Sequence, residues 1–570
     1  MKRSTSIISL FLVLAMIFSL SACSGKVGET PSSPNTDSTG APSTSGSELS
    51  SELAQETVPW YRGEMNVYRS SETGFQKKTP EGTVVYATSG QIIGCDPMNS
   101  QEEYCWSHNV YEGLLTKNLE TGELEGLLAT DWGYDEEGNL HITLREGVKF
   151  HDGTTLDTED VLFTLQRNAN SPESKVGEAC RKIDFEKSYS EDALNLVLVM
   201  KEPSGSLLYA LSSGWLGIMS KEFCEQVGDD YDFMEADAGT GAYTVVETVT
   251  GASQTFERFE DYWGGVPEIE TVIYKLYKDY TPMFIDYQNG DLDFCLNNNY
   301  DSVTRFFNGE VTDTVMYQVP VNRGQILSLT TVNDSPLSDV RLRQALAHCI
   351  DYDALLAGVY QGPEMASVST SMFIGGVKYR IDAGRYEYDP DLSKELLAQA
   401  GYDENNRLSL TLETSDNVNN IAAAEMVQYY ASEVGIDIEV ISEKSTAMTA
   451  AMNSTTYNYD IILMPITYGS GHPEETLAGR NAFGKEPGTY PYNRAVQDEA
   501  VCALMTEGSS CIDEERAAEI YAEIQEMYYD QCWLIPLLTS TSCAFGHSYL
   551  ENTQFLSGYG VRWADWTIAN

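Results

Sequence analysis

LSLTLETSDNVNNIAAAEMVQYYASEVGIDIEVI, residues 408–441, decides the fold class. Leu408, Leu410 and Leu412 alternate with polar Ser409 and Thr411, the two-residue period of a strand with one buried face. Val418 to Val434 then reads as a helix stopped by Gly435, because glycine accepts the left-handed conformation that closes helices. Ile436, Ile438 and Val440 resume the strand period. A second crossover leads to Tyr459-Asp460-Ile461-Ile462-Leu463-Met464, a continuous apolar run suited to a central strand. Strand–helix–strand–helix–strand at this spacing predicts right-handed crossovers and a parallel sheet, hence an α/β fold. Ligands of open α/β sheets bind beyond the carboxyl ends of the strands. Here that edge is Pro465-Ile466-Thr467-Tyr468-Gly469-Ser470-Gly471.

Outward from this segment the same signals recur. Asp389-Pro390 opens a helix carrying Leu392, Leu396 and Leu397, and Gly401 stops it. Thr83 to Thr88 reads as a strand, followed by a loop holding Cys95-Asp96-Pro97 and a helix running through Val110-Tyr111. Leu140, Ile142 and Leu144 alternate with His141, Thr143 and Arg145 as a half-buried strand. Phe150-His151-Asp152-Gly153 makes a turn. Asp157 then caps a helix with Asp160 in its first turn and Val161, Leu162 and Leu165 as its apolar stripe. Leu194 to Met200 is a further strand.

Composition narrows the function. The 570-residue chain carries a formal net charge of -51. Such a body repels nucleic acid and anionic headgroups, which excludes both as partners. It mildly favours cationic solutes, although keeping a soluble surface from aggregating is the simpler role for the charge. The 35 Tyr and 8 Trp suit walls that hold varied small molecules, as well as ordinary cores. Ten of the eleven cysteines follow Cys23; none forms a CxxC pair, so neither a zinc cluster nor a redox motif is expected. Cys349 falls on the apolar face of a helix and reads as a buried free thiol. No GxSxG, HExxH or phosphate-binding loop occurs, and the six histidines are scattered, so no catalytic residue, cofactor or metal is expected. His151-Asp152 are adjacent on a turn, a poor geometry for a shared catalytic site. His472 with Glu474 and Glu475 offers metal-ligand chemistry, but a solvated loop is the simpler reading.

The amino end carries Lys2 and Arg3, an apolar run from Ile7 to Leu20, and then Leu20-Ser21-Ala22-Cys23. The run is too short to span a bilayer comfortably and has the layout of an export signal over residues 1–23. A cysteine at the cut resembles a bacterial lipobox, in which the thiol of Cys23 receives lipid. Residues 24–58, rich in Ser, Thr, Gly and Pro, read as a disordered tether. The expected location is therefore the outer side of the cell membrane, lipid-anchored.

Several blocks resemble the extracellular solute-binding proteins of family 5, the peptide- and nickel-type receptors of ABC importers. They begin at Leu127-Leu128-Ala129-Thr130-Asp131-Trp132 and continue through LHITLREGVKFHDGTTLDTEDVLFTLQR (140–167). They resume at Gly239-Thr240-Gly241-Ala242-Tyr243, Tyr262-Trp263-Gly264-Gly265 and Gly290-Asp291-Leu292-Asp293. PLSDVRLRQALAHCIDYDAL (336–355) and YDPDLSKELLAQAGY (388–402) complete the set. The resemblance implies a two-lobed, periplasmic-binding-protein-like α/β fold with an extra subdomain and mixed sheets flanked by helices. Lobe I would comprise 59–115, 240–320 and 541–570, the inserted subdomain 116–239 and lobe II 321–540. It also implies a monomeric solute receptor, closing over a peptide or peptide-like small molecule and delivering it to ABC permease subunits. A metal-chelate or oligosaccharide receptor is the alternative on the same fold, and a surface adhesion or signalling module lies further off.

One departure concerns the solute. In peptide-binding members, the segment after the last central strand resembles Gly-Trp-x-x-Asp, whose aspartate meets the peptide's ammonium. Aligned on Asp460 and Pro473, the aspartate position falls at Gly469 and the tryptophan position at Ile466. A buried ammonium without a carboxylate is costly, unless Asp96 or Glu103 supplies the charge. The expected ligand contacts are Ile466, Thr467, Tyr468 and Gly469 at the strand edge. Tyr104 and Trp106, in the loop after the first strand, would face them. Trp215 would form an aromatic wall, and Arg480 with Asn481 would supply donors.

Overall fold

The computed structural model describes residues 53–60, 63–90, 96–98, 103–172, 174–228, 233, 236–331, 335–361, 364–452, 459–467, 471–474, 477, 496, 498–553, 555–556 and 560–569. Cys23 and most of the tether expected over 24–58 lie outside them. The strand Ala54–Trp60 pairs antiparallel with Gly63–Arg69, so regular structure is already present within the last residues of the expected tether. Val58 sits opposite Met65 and packs on the adjoining core, which a Ser/Thr-rich composition upstream does not foretell.

The segment that decided the fold class folds as its periodicity predicts. Leu408–Ser415 pairs in parallel with both Ile436–Glu443 and Ile461–Thr467. The intervening helix is Val418–Val434, capped by Asn417 and closed by Gly435 at φ 106°. Pro390–Gln399 follows its Asp389 cap. In the earlier half, Asp157 caps Thr158–Asn170 in a reciprocal box with Asp160.

These strands belong to one long mixed sheet. Its order is Tyr243–Val249, Ser253–Arg258, Thr271–Tyr277, Thr83–Ser89, Phe294–Leu296, Leu534–His547, Thr314–Leu329, Ile461–Thr467, Leu408–Ser415, Ile436–Glu443. Side-chain alternation splits each half into two faces. On Thr83–Ser89, Val84 and Tyr86 enter one core while Val85 and Ala87 enter another. On Ile461–Thr467, Ile461 and Leu463 enter a third core and Met464 a fourth. A separate four-stranded sheet, including Ala129–Tyr134 and Leu140–Leu144, carries the subdomain core.

The fold is two-lobed because two strands run through both halves. Thr314–Leu329 and Leu534–His547 pair antiparallel along most of their length. Val315, Val319 and Ala544 pack in the first half, whereas Leu327, Leu329, Ile535 and Leu537 pack in the second. Between them the register shifts at Pro320/Gly324. A bulge bends and twists a paired ribbon, so the two strands change direction where they pass from one lobe to the other.

Candidate functional site

Two groups of buried polar residues stand out. The first gathers around Glu112 within lobe I and reaches the subdomain through His151. Glu112, 3% exposed, accepts from Thr240 Oγ1 (2.9 Å), Tyr262 Oη (2.8 Å) and Trp263 Nε1 (2.8 Å). Burial raises its carboxyl above the ordinary range, against the pull of those three donors and of Arg562. His151 contacts Asp237 through Nδ1 and reaches the Gly241 carbonyl through Nε2 (2.8 Å). Burial pulls the imidazole down, but the Asp237 charge, the hydrogen bonds to Asp237 and Gly241 and the Glu112 charge together outweigh it and the net direction is upward. Gly239 and Gly241 pack on the end of the Glu103–Val110 helix, where a Cβ would lie 1.9 Å from the Val110 carbonyl oxygen and 2.3 Å from that of Asn109. Only glycine permits that approach. This group has its hydrogen-bonding capacity turned inward, as a clasp.

The second group joins the subdomain to lobe II at the carboxyl edge of the parallel strands. The backbone of Lys378 donates to the Gly471 carbonyl (2.8 Å), tying segment 375–380 to the loop after Ile461–Thr467. Tyr379 takes a left-handed φ of 59°, a strained state for an aromatic residue. Buried Gln525 holds it there: Nε2 donates to the Tyr379 carbonyl (2.8 Å) and Oε1 accepts from the Ile381 amide (3.0 Å). The Tyr379 ring stacks on Tyr521 at 5.4 Å.

His472 lies among these rings, 5.3 Å from Tyr209, 5.6 Å from Tyr521 and 6.1 Å from Tyr379. The sequence favoured a solvated loop here; the residue is 1% exposed, because subdomain and lobe II close over it. Burial first, then Lys182, Lys117 and Lys378, depress its imidazole to about 3. Beside it Lys182 Nζ binds Glu474 Oε1 (2.6 Å) and the Ser509 carbonyl (3.1 Å). In front of it opens a cavity of about 340 Å³, lined by Lys117, Glu123 and Tyr209 of the subdomain and by Lys378, Tyr379 and Arg380 of lobe II. Among the described residues no group of three metal-ligating side chains occurs, and no helix is long and apolar enough to cross a membrane.

The residues expected to touch ligand are distributed as follows. Tyr468, Gly469, Arg480 and Asn481 lie outside the described residues, as do the side chains of Tyr104, Trp106, Ile466 and Thr467. Tyr104 and Trp106 belong to the Glu103–Val110 helix rather than to a loop. Trp215, 7% exposed, packs in the subdomain core. Asp96, considered as an ammonium partner, is engaged by Arg167 through NH1 (2.9 Å) and NH2; Glu103 has no described side chain. Sequence reading missed segment 375–380, whose glycine pair and lone charges carry no periodic signal. Cys349 is buried and free, and Cys180, Cys224, Cys295, Cys502, Cys511, Cys532 and Cys543 are free thiols as well.

Comparison with known proteins gives concordant results. Residues 123–483 match the family model described as bacterial extracellular solute-binding proteins, family 5 middle. The dipeptide-binding protein of Escherichia coli is 25% identical over 493 residues, 80% of this chain and 89% of that protein. Heme-binding protein A of Haemophilus influenzae is 23% identical over 508 residues, 82% and 89% of the two chains. Among solved structures, the ABC transporter substrate-binding protein CtaP of Listeria monocytogenes superposes with a TM-score of 0.75 at 20% identity, covering 86% of this chain and all of that one. NikA of Brucella suis, in complex with Fe(III)-EDTA, gives 0.74 at 21% identity with the same coverage.

Proposed function

Since the chain belongs to the bacterial extracellular solute-binding proteins of family 5, solute receptors rather than enzymes, we propose that it captures a peptide or peptide-like small molecule between its lobes. It then hands the solute to the permease of an ABC importer. The observation that supports the reading is the cavity beside the loop that follows the parallel strands, walled by lobe II and, in place of lobe I, by the subdomain, where it would form one end of the solute site. The bulged two-strand connection supports hinge closure over the solute, and the permease would engage the closed form preferentially. The strand-edge residues Ile466, Thr467, Tyr468 and Gly469, with Tyr104, Trp106, Arg480 and Asn481, are the proposed contacts around it, whereas Trp215 lies in the subdomain core. A lipid on Cys23 would hold the monomer at the outer face of the membrane through the segment before residue 54. The relative named for dipeptide binding favours the peptide class.

Mass spectrometry of solute retained through native purification tests the reading. A peptide-like molecule is expected; a metal chelate or sugar would shift the class, and turnover of the retained molecule would refute a receptor. Tyr468→Ala is expected to weaken binding of that solute without lowering thermal stability, and a wild-type dissociation constant removes Tyr468 from the site.

A further inference from the structure

The cavity between subdomain and lobe II has a local charge opposite to that of the chain around it. The sequence holds 35 basic against 86 acidic side chains. Of the charged residues lining this space, however, Lys117, Lys378 and Arg380 are cations and only Glu123 is an anion. Lys117 is 7% exposed at the end of the Leu115–Lys117 strand, its ammonium 5.3 Å from the centre of the Tyr209 ring. Arg380 is oriented by neutral partners, Nε on the Phe373 carbonyl (3.0 Å) and NH2 on Thr370 Oγ1 (3.1 Å). Those bonds fix the guanidinium without cancelling its charge. Lys378 stands 3.3 Å from Glu514 and 3.6 Å from Glu123. Both carboxylates are mostly solvated, where such pairs are weak and exchangeable.

The positive charge has a consequence beside it: buried His472, behind the cavity, is held neutral by burial first and then by Lys182 and the same Lys117 and Lys378. Lys378 and Arg380 also flank Tyr379, whose left-handed backbone is clamped by Gln525. A plain connecting loop needs no such strain; a segment that must present charged and aromatic side chains in one orientation does. At about 340 Å³ the space lies at the small end of ligand sites. It suits one end of a peptide-like solute rather than the whole of it.

We infer that this cavity is a subsite for the acidic end of the solute, a carboxylate received by Lys117, Lys378 and Arg380, with the adjoining part of the molecule against Tyr209 and Tyr379. The inference rests on the receptor reading and narrows its solute class. It also fits Gly469 at the position where peptide-binding members resemble an aspartate: a solute anchored by its acid end can leave its amine in solvent, where no carboxylate partner is needed. Because the chain as a whole repels anions, selection for the carboxylate comes from contact within the cavity and not from long-range steering.

Affinity-selection mass spectrometry of the full chain tests it with a randomised tripeptide library in two forms, free acid and carboxyl-terminal amide. Loss of a charge-assisted contact predicts retention of the acid form about tenfold above the amide. That preference should collapse in the Lys378→Gln/Arg380→Gln variant, two side chains on the rim of the cavity whose removal leaves the fold's cores intact. Equal retention of the two forms, preference for the amide, or retention of neither overturns the inference. Complete displacement of the peptides by excess inorganic phosphate also overturns it, by marking a general oxyanion site. A solute without any carboxylate found in natively purified protein would overturn this assignment while leaving the receptor reading intact.

Discussion

The contact between Lys182 and Glu474 joins residues 292 positions apart across the seam that, on the proposed function, would part for a solute to leave. Both side chains are nearly enclosed, 9% and 12% exposed. Lys182 also donates to Ser509, at the end of the Glu499–Ser510 helix. Glu474 Oε2 is buried without a hydrogen-bond partner. Lys182→Met therefore leaves a carboxylate enclosed with neither oxygen satisfied. Breaking a buried pair costs about 3–5 kcal/mol, and the residual solvent contact places this one near 3 kcal/mol. If the seam exists only when the lobes close, that cost falls on the closed state alone. Affinity for the retained solute should then drop about 100-fold, at 1.4 kcal/mol per factor of ten, while the unfolding midpoint of the ligand-free chain barely moves. Glu474→Gln combined with Lys182→Met removes the stranded charge and should recover part of the loss, a non-additivity expected of groups in contact. Calorimetric titration and thermal unfolding of the four proteins read both quantities. A lowered midpoint with unchanged affinity would make the pair a permanent brace and refute the latch.

Acid should open the same seam. His472 sits at about 3 when enclosed, against an ordinary 6.5, and is faced by Lys182, Lys117, Lys378, Glu474 and the rings of Tyr209, Tyr379 and Tyr521. A depressed histidine resists its proton, so its contribution to closure is complete above about pH 6.5 and is lost as the pH falls toward 3. Near pH 5.5 the deficit is about 1.4 kcal/mol, roughly tenfold in solute affinity. His472→Phe should flatten that slope, and an unchanged slope between the two proteins refutes the assignment. Gly239→Ala tests the clasp, because the added Cβ meets backbone at 1.9 Å and has nowhere to go. Urea denaturation should register about 3 kcal/mol of destabilisation, and a change within 0.5 kcal/mol, the scatter of neutral surface substitutions, would show that the loop yields.

Local periodicity made lobe II legible and left its cavity wall unread. Residues 408–443 alternate, then turn, then alternate again, and both helix ends carry their own stop signals, so structure and sequence coincide at Val418–Val434. The Glu103–Val110 helix begins earlier than expected, which moves Tyr104 and Trp106 out of a loop. Its first residues carry no capping pattern, and Gly239 and Gly241 hold it from more than a hundred residues away. His472 reads as solvated because Gly-Ser-Gly-His-Pro-Glu-Glu is loop composition. Its burial comes from Tyr209 and from the contact of Lys182 with neighbouring Glu474, neither nearby in sequence. The Tyr379 clamp depends on Gln525, on a helix 146 residues further along.

The blocks that reveal the family and the residues that line the cavity are different sets, and the structure explains why. Thr240, Tyr262 and Trp263 all point their donors at Glu112, and His151 of the long block closes on Asp237 and Gly241. Around Glu112 these motifs brace lobe I within itself, and His151 reaches across to Gly241 from the subdomain; none of them lines the cavity. Lys117, Tyr209, Lys378, Tyr379 and Arg380 lie outside every one of those blocks, on a strand end, a short helix and a turn. Their backbones are fixed from behind, by Gln525 and by the bond from Lys378 to Gly471. A side chain exchanged on such a support alters the charge and shape of the cavity while the clasp, the bulged connection and the cores stay as they are. The same division lets one scaffold serve many solutes, and it obliges any account of this receptor's selectivity to start from the cavity rather than from the motifs.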